Sequence, residues 1–372
     1  MNAEIVCLSA YDVAYEATLA AIEAMMRGAA EPFRLGRLKA APRNFPVHRP
    51  LSLQIETATA AGPRGPLQIF SSVKLFAIGA MSVKVRVPVV CERLMDLVAF
   101  RDALFKEGAP LEQRVLAIAQ QVFQNVKPQL DTPVAELPPA EVYTVFCLDT
   151  PPGGDAAADR AAPMDTWLSQ HEREVAALLV GEPDPARLSA QEVQETTKYR
   201  YSYYQSDLAV IDWDAALLVD TREDTHDTLY AIEMANLQLA ELRVYDQALD
   251  RVLDKAYDDV EVVARPHAFV ARQRVLSDLR EIKMDLTKVA DELSNTSKFF
   301  GEWHLARIYM GCAARFHLAE WDQIVDQKLR ALDGLYTMLQ QDSTNRMMLI
   351  LETAVVGLFV LDLIIIVWLG IR

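Results

Sequence analysis

The sequence predicts an α+β fold, in which an N-terminal mixed α/β domain is followed by a region of long, coiled-coil-like helices and one C-terminal transmembrane helix. The first observation is that 17 of the 18 prolines lie at or before Pro185. The second is that no glycine occurs between Gly181 and Gly301. Proline and glycine end helices and form turns, so their scarcity in the second half predicts long helices there. The third is the apolar run from Met347 to Ile371, which contains only two charged residues.

Residues 1–155 form the first predicted domain. Runs of β-forming residues predict three strands, at 51–56, 73–90 and 141–148. Apolar residues at helical spacing predict three helices, at 13–27, 92–105 and 111–125. A stretch rich in proline, glycine and alanine at 149–159 predicts the linker that ends this domain.

Residues 156–345 form a second, mainly helical domain. Its predicted helices lie at 163–180, 189–198, 224–262 and 266–293, followed by a last helix that begins near Phe299. Two short strands are predicted at 207–212 and 215–219, separated by Trp213 and Asp214. A polar cluster from Ser294 to Ser297 breaks the chain between the last two helices. Because this break is short, the two helices are expected to form an antiparallel hairpin.

The last helix is predicted to be longer than its partner in this hairpin. Both helices repeat apolar residues at alternating spacings of three and four, the last one from Val325 to Leu339. The helix at 266–293 covers only ~39 Å, whereas a helix from 299 to 345 would reach ~70 Å. One prediction is a homo-oligomer that covers the remaining apolar positions. The alternative is that the earlier domain folds back over them.

Residues 346–372 are predicted to be a transmembrane tail anchor. The apolar run is long enough to cross a hydrocarbon layer of ~30 Å as a helix, with Trp368 at the interface. The alternative is a buried core helix at the end of a soluble domain. The N-terminus has no basic segment followed by an apolar one, so no secretory signal is predicted and the bulk of the chain is expected to be cytoplasmic.

Two acidic residues lie within the predicted span. Glu352 is near the Arg346 end, from which its carboxylate can reach the interface. Asp362 lies close to mid-membrane, where an ionised carboxylate costs ~2.5–3.5 kcal/mol. Three interpretations stay open for Asp362: a contact between subunits, a protonated acid tolerated in lipid, and part of an ion or proton path.

The charge distribution bears on the partners of the chain. The net charge is −15, and residues 151–372 carry 37 acidic against 22 basic groups. An excess of negative charge on this scale argues against nucleic acid as a partner of the second half. The stretch 33–50 differs, because it holds five basic residues and no acid. It is either a contact for anionic lipid or RNA or a solvated loop.

No pattern in the sequence predicts a catalytic activity, a cofactor or a metal site. Six acids follow one another closely and could in principle hold Mg²⁺ or Ca²⁺, namely Asp212, Asp214, Asp220, Glu223, Asp224 and Asp227. The alternative is turn chemistry together with acids at a helix N-terminus. The four cysteines are scattered singly, and no glycine-rich phosphate loop or nucleophile elbow is present. We therefore expect the protein not to be an enzyme.

The helix at 224–262 carries the most distinctive polar residues. Asp246 interrupts an apolar stripe, and Arg243 lies three residues earlier, so the two are expected to form an ion pair on one face. Glu233 and Asn236 lie at the edge of the same stripe. These residues are interpreted either as structural groups that set the register of packing or as a ligand site.

The segment DLAVIDWDAALLVD, the helix IEMANLQLAELRVYDQALDRVLDKAYDD and the C-terminal span resemble the YagE family, that of the "required for meiotic nuclear division" proteins. The resemblance covers about residues 200–372 and does not extend to residues 1–160. The positions that carry it are Asp212, Trp213, Glu233, Asn236, Leu239, Glu241, Leu242, Arg243, Asp246 and Leu249. The resemblance implies a tail-anchored, oligomeric membrane protein with no established catalytic activity, whose eukaryotic relatives are linked to mitochondrial translation.

These observations predict a non-enzymatic, tail-anchored scaffold or tether. It would associate with itself through its last helix and its span, and present an acidic domain to a cytoplasmic protein partner. The alternative, from a different functional class, is a CorA-like oligomeric ion conductor that uses the last helix and Asp362. Against this alternative, the sequence has one predicted span rather than two and no Gly-Met-Asn motif after it.

Overall fold

The computed structural model describes residues 1–26, 30–32, 50–105, 110–149, 163–263 and 303–370. The chain divides into two compact units. Of the described residues, the first unit contains those up to Val244 and those from 303 to 322. The second unit contains residues 245–263 and 323–370.

The first unit is built on a large mixed β-sheet. The described strands are β1 (Asn2–Asp12), β2 (Ala14–Ala17), β3 (Ala30–Pro32), β4 (Leu51–Gly62), β5 (Gly65–Leu75), β6 (Ala80–Val90), β7 (Leu130–Pro133), β8 (Glu141–Leu148), β9 (Tyr199–Tyr201), β10 (Leu208–Ile211) and β11 (Ala215–Val219). Nine of them form one sheet in the order β3-β4-β5-β6-β1-β8-β11-β10-β9, and β2 pairs with β7. All neighbours in the large sheet are antiparallel except β8 and β11, which are parallel.

The helices of the described segments are α1 (Leu19–Met25), α2 (Asp96–Phe105), α3 (Pro110–Val126), α4 (Met164–Val180), α5 (Ala190–Thr196), α6 (Arg222–Val263), α7 (Trp303–Arg315) and α8 (Leu318–Gly370). Helices α1 to α5 and α7 belong to the first unit, and α6 and α8 each contribute residues to both units. The parallel pairing of β8 with β11 requires a long connection between them. The chain between these strands contains α4, α5, β9 and β10.

The two faces of the large sheet pack against different helices. In β1, Ile5, Cys7 and Tyr11 belong to the main hydrophobic core, which also includes residues of α2, α3 and α4. Because successive side chains of a strand point to opposite faces, the residues between them lie on the other face. On that face Tyr143 of β8 packs edge-on against Phe316, with the ring centroids 5.1 Å apart. Side chains of α6 also bind β5, β6 and β8 there.

The predicted class is confirmed in its coarse form. The N-terminal part is a mixed α/β domain with helices after it. The hairpin predicted at 207–212 and 215–219 is present as β10 and β11, and the helix predicted at 224–262 is α6. The strand predicted at 141–148 is β8.

Three local predictions in the first 100 residues were wrong. Residues 13–27 were expected to form one helix, but β2 precedes the short helix α1 there. The run at 73–90 is the end of one strand and the whole of the next, with a turn at Gly79 between them. Strand β1 was not predicted. It is buried on both faces, so its sequence lacks the alternation of polar and apolar residues that marks a half-exposed strand.

The structure also differs from the predicted boundary at residues 155–156. Strand β8 precedes that boundary and β11 follows it, yet the two are neighbours in one sheet from Ala215 opposite Thr144 to Val219 opposite Leu148. The first compact unit therefore includes strands from both sides of the predicted linker. The predicted linker at 149–159 lies outside the described residues except for residue 149. Composition could not show that the chain returns to the same sheet after it.

The predicted last helix is interrupted near residue 317. A helix was expected from Phe299, but α7 ends at Arg315 and α8 begins at Leu318. His317 between them has a φ of 53°, which is uncommon for a residue with a side chain and breaks the helix. The predicted helix at 266–293, its break at Ser294–Ser297, its hairpin pairing and most of the stretch 33–50 lie outside the described residues.

Helix α8 contains one segment that is long and apolar enough to cross a membrane. Met347–Val367 has a mean hydropathy of 2.6 over 21 residues, and none of it is buried. The coarse prediction of an apolar C-terminal helix is therefore confirmed. The alternative of a buried core helix does not describe this segment.

Candidate functional site

Helix α6 carries Glu233 into a buried cluster of charged residues on the sheet. We call Lys74, Ser82, Lys84 and Glu233 the buried lysine cluster; all four are at most 6% exposed. The Lys74 ammonium donates to Glu233 Oε2. The Ser82 hydroxyl donates to the other carboxylate oxygen, Oε1, at 2.7 Å. Both oxygens of this carboxylate therefore have a partner.

Strand register explains why the two lysines lie on the same face. Lys74 of β5 is opposite Ser82 of β6, and Ser72 of β5 is opposite Lys84. Because Lys84 lies two residues after Ser82, both point to the face that α6 covers. Arg86 comes two residues later still and donates from Nε and Nη2 to Glu4 Oε2, at 3.0 and 2.9 Å.

The charges of this cluster shift one another's protonation. Burial raises the pKa of Glu233, but the Lys74 and Lys84 ammonium groups and the two hydrogen bonds outweigh burial, so the pKa lies below its usual value. For Lys84, burial is the largest effect and the nearby Lys74 charge adds to it. Together they lower the pKa of Lys84 to about 8. The carboxylate is thus held ionised, whereas the Lys84 amine titrates near physiological pH.

The predicted ion pair between Arg243 and Asp246 is not formed. Arg243 Nη1 instead donates to Glu141 Oε2 at 2.5 Å, and Asn236 Nδ2 donates to the Glu141 backbone oxygen at 3.0 Å. Asp246 accepts from Lys328 of α8 at 2.5 Å. Spacing along one helix suggested the first pairing, but residues distant in sequence offer each charged group a closer partner.

Asp212 and Trp213 lie at the turn between β10 and β11. Asp212 is buried, and its carboxylate oxygen Oδ1 accepts from Arg315 Nε at 2.8 Å. The Tyr143 hydroxyl donates to the Asp212 backbone oxygen at 2.8 Å. Trp213 is 37% exposed, with its ring centroid 5.6 Å from that of His317. These contacts tie the turn to the end of α7 and indicate a structural role for Asp212.

The acids that follow Asp212 do not form a metal site in the described part of the chain. No group of three or more His, Cys, Asp or Glu residues there could hold a metal ion. Thr221 and Asp224 instead bond to each other at the start of α6, where the Thr221 hydroxyl donates to Asp224 Oδ2 at 2.7 Å. These contacts fit the interpretation of the acids as turn residues and as acidic groups at a helix N-terminus.

The second unit contains a charged contact between α6 and α8. The Lys328 ammonium donates to Asp246 and lies 2.6 Å from Asp250. Val325 and Leu332, one turn to either side of Lys328, are buried. These two positions of the predicted heptad seam are thus already covered within one chain, and they do not require a second subunit.

The acids of the predicted span lie on α8. Glu352 and Asp362 are both exposed, and Trp368 lies near the end of the same helix. Asp362 shares its helix face with four apolar residues that line a shallow recess with it, namely Val355, Leu358, Phe359 and Ile365. Gly357 and Thr353 are on the opposite face by helical rotation. The sequence therefore places one carboxyl in the middle of an apolar face.

Sequence reasoning missed Lys74, Ser82 and Lys84. A signal was available, because Lys74, Lys84 and Arg86 lie at even positions in a run whose odd positions are apolar from Val73 to Val89. That pattern predicts one buried and one polar face. It cannot show that the polar face is covered by a helix 150 residues later in the chain.

Comparison with known proteins identifies one family for the part of the chain that contains the sheet. The family model for the uncharacterized protein MJ0711, N-terminal domain, matches residues 2–225. That range contains every described strand and ends at the start of α6. The uncharacterized protein MJ0711 of Methanocaldococcus jannaschii is 23% identical over 224 residues, which cover 60% of this chain and 65% of the relative. The match thus spans slightly less than two thirds of that relative.

No solved structure matches the chain. The resemblance to the YagE family concerns residues 200–372, so it overlaps the family match only at 200–225. It stays a prediction over its whole length. The residues for which the sequence suggested no family, 1–160, lie almost entirely within the matched range.

Proposed function

This chain belongs to the family of the MJ0711 N-terminal domain, and we propose that it is a non-enzymatic, tail-anchored membrane scaffold that associates with itself and presents an acidic domain to a protein partner. The observation that carries the proposal is the apolar segment Met347–Val367, of which nothing is buried. Contiguous apolar surface is rarely left in contact with water. A lipid bilayer is the cover that best fits a single helix exposed on all sides.

The length of the segment supports a spanning helix. Its 21 residues rise by ~32 Å, and a hydrocarbon layer is ~30 Å thick. A short amphipathic anchor would instead show one polar face. Glu352 and Asp362 are the charged residues within this segment, and they lie ten residues apart on otherwise apolar surface.

Self-association of the span is the second part of the proposal. An ionised carboxylate at Asp362 is costly in lipid, and a contact with a second copy removes it from lipid. The apolar residues beside Asp362 would pack around this contact. The acidic excess of residues 151–372 would then be displayed by each copy, which suits a partner with a basic surface. We propose a cytoplasmic location for that domain.

Membrane extraction tests the anchor. Membranes carrying the full-length chain are washed with alkaline carbonate, in parallel with a version that ends at Arg346. The full-length chain is expected to stay in the pellet and the shortened version to be released. Release of both versions alike would refute membrane anchoring. Protease treatment of sealed vesicles then reports on which side residues 1–263 lie.

The exposed Asp362 carboxyl is also the observation that favours the second candidate, an oligomeric ion conductor. Purified chain in sealed liposomes distinguishes the two functions by ion flux. A scaffold gives no flux above that of empty liposomes. Flux that is lost on the substitution Asp362→Asn, while the assembly keeps its size, would favour the conductor and contradict the scaffold.

A further inference from the structure

Among Lys84 and the charged groups that act on it beneath α6, the cations outnumber the acids by one. Lys74, Lys84 and Arg86 are the cations that β5 and β6 place there, and Glu233 and Glu4 are the acids beside them. Glu233 is bonded to Lys74, and Glu4 is bonded to Arg86. Each acid is therefore paired with a cation other than Lys84.

Lys84 is the cation of this group that is not bonded to an acid. It is 6% exposed, and its ammonium has no hydrogen-bond or ion-pair partner within the described segments. An unpaired charge at this depth is unfavourable, since burial removes water without supplying a counterion. Two arrangements relieve it: loss of the proton from the amine, or an anion bound from solution.

We propose that Lys84 anchors a binding site for a small oxyanion, a carboxylate or phosphate group, on the sheet face beneath α6. One added negative charge would pair with the Lys84 ammonium, to which neither Glu233 nor Glu4 is bonded. Ser72 lies directly opposite Lys84 on β5 and can donate its hydroxyl to the same anion. Lys74 adds a second positive charge nearby, as its effect on Lys84 indicates.

This inference does not depend on the proposed membrane function. The proposed anion site lies on the sheet, within the residues that match the family model, whereas the proposed membrane anchor lies in α8. Failure of either proposal therefore leaves the other standing.

Calorimetric titration of the full-length chain in detergent tests the site. Inorganic phosphate and acetate are the two probes, each added in a buffer free of other oxyanions. At least one of them is expected to bind saturably at one site per chain. Lys84→Met should weaken that binding at least tenfold, whereas Lys198→Met, which removes an exposed lysine of the same unit, should leave it unchanged. Equal binding by wild type and Lys84→Met, or no binding by wild type, would overturn the proposal.

A second measurement uses the wild type alone, in case Lys84→Met does not fold. Brief exposure to an amine-acylating reagent, followed by peptide mass spectrometry, reports how readily each lysine reacts. An amine is acylated only when it is unprotonated and the reagent reaches it, and an anion held against Lys84 opposes both. The anion that binds should slow acylation of Lys84 at least severalfold and leave that of Lys198 unaltered. Acylation of Lys84 that neither probe changes would contradict the site.

Discussion

At the scale of single residues, the first unit is unusual for the number of charged groups that it buries. Lys74, Lys84, Glu233 and Asp12 are each at most 6% exposed. Buried charges stabilise a fold only when each has a partner of good geometry. The four residues differ in whether they have such a partner. Removing them should therefore lower the stability of the protein in some cases and raise it in others.

Lys74 and Lys84 provide a matched pair of substitutions. Lys74→Met leaves Glu233 buried without its ammonium partner, so it should lower the free energy of unfolding by ~3–5 kcal/mol. Lys84→Met removes the unpaired cation and should leave stability unchanged or raise it, by at most roughly 3 kcal/mol at pH 7. Urea unfolding followed by circular dichroism in an oxyanion-free buffer measures both. A larger loss for Lys84→Met than for Lys74→Met would contradict our assignment of the ion pair.

The direction in which Lys84 changes the stability of the protein with pH can be predicted. Its pKa is lowered from 10.5 to about 8 in the folded protein. The folded state therefore favours the neutral amine. The contribution of this neutral amine to the free energy of unfolding is present above pH 10.5 and lost as the pH falls through 8. Unfolding at a series of pH values should show wild-type stability rising between pH 8 and 10 relative to Lys84→Met. A constant difference between the two proteins would show that Lys84 does not titrate there.

Asp12 should act in the opposite direction. Burial raises the pKa of Asp12 from 3.8 to about 7, although a hydrogen bond from the Ala14 backbone lowers it somewhat. Its contribution to stability is therefore complete below pH 3.8 and lost as the pH rises through 7, by on the order of 4 kcal/mol.

Asp12→Asn should remove this loss, so the variant is more stable than wild type at pH 8 and similar at pH 4. Thermal unfolding at both pH values measures the difference. Asp131→Asn, an exposed acid of the neighbouring β-structure, serves as the control and should not change the profile. The same gain in both variants would point to net charge rather than to burial of Asp12.

At the scale of secondary-structure elements, local pattern predicted the helices better than the strands. Helix α6 and strands β8, β10 and β11 agree with prediction because each has a clear periodicity bounded by turn residues. Strand β1 was missed because both of its faces are buried, and α1 was overextended across β2. Charged residues in β5 and β6 were visible in the sequence, but the helix that covers them was not.

The turn between β5 and β6 offers a prediction at this scale. Gly79 has a φ of 78°, and a Cβ there would lie 1.8 Å from the Ala14 backbone oxygen. Gly65, in the turn between β4 and β5, also has a positive φ but no atom within 4 Å of such a Cβ. Gly79→Ala should therefore destabilise the protein more than Gly65→Ala, which bears only the backbone strain of about 1–3 kcal/mol.

Urea midpoints of the two glycine variants, compared with wild type, measure this difference. Val13 and Ala14 both donate to the Gly79 backbone oxygen, so a displaced turn would also disturb the junction of β1 and β2. Equal destabilisation by both substitutions would mean that the turn can move away from Ala14 at little cost.

At the scale of the whole molecule, the chain consists of two units of different character. The first contains the sheet that matches the family, and the second contains the helix with the exposed apolar segment. Val325 and Leu332 are buried in one chain, so these two positions do not need a second subunit. Asp362 and Gly357 lie on opposite sides of that span and allow a matched test.

Asp362→Leu should dissociate the assembly, because it removes the carboxyl that we propose lies between subunits while keeping the helix apolar. Gly357→Leu adds bulk on the opposite face and should leave the assembly intact. Crosslinking in intact membranes, followed by native mass measurement, shows the size of each variant. Dissociation by Gly357→Leu alone would place the contact on the other face, and an unchanged size for both would refute self-association through the span.

The residues of this chain were sufficient to predict the mixed α/β class, the long helix α6, the hairpin of β10 and β11, and the apolar segment of α8. These features depend on periodicity and composition within a few turns, which local interactions determine. The folded chain was needed to pair β8 with β11, Arg243 with Glu141, and Glu233 with Lys74. Such pairings join residues at least 71 positions apart, so the energy that selects them comes from burial and charge between distant segments.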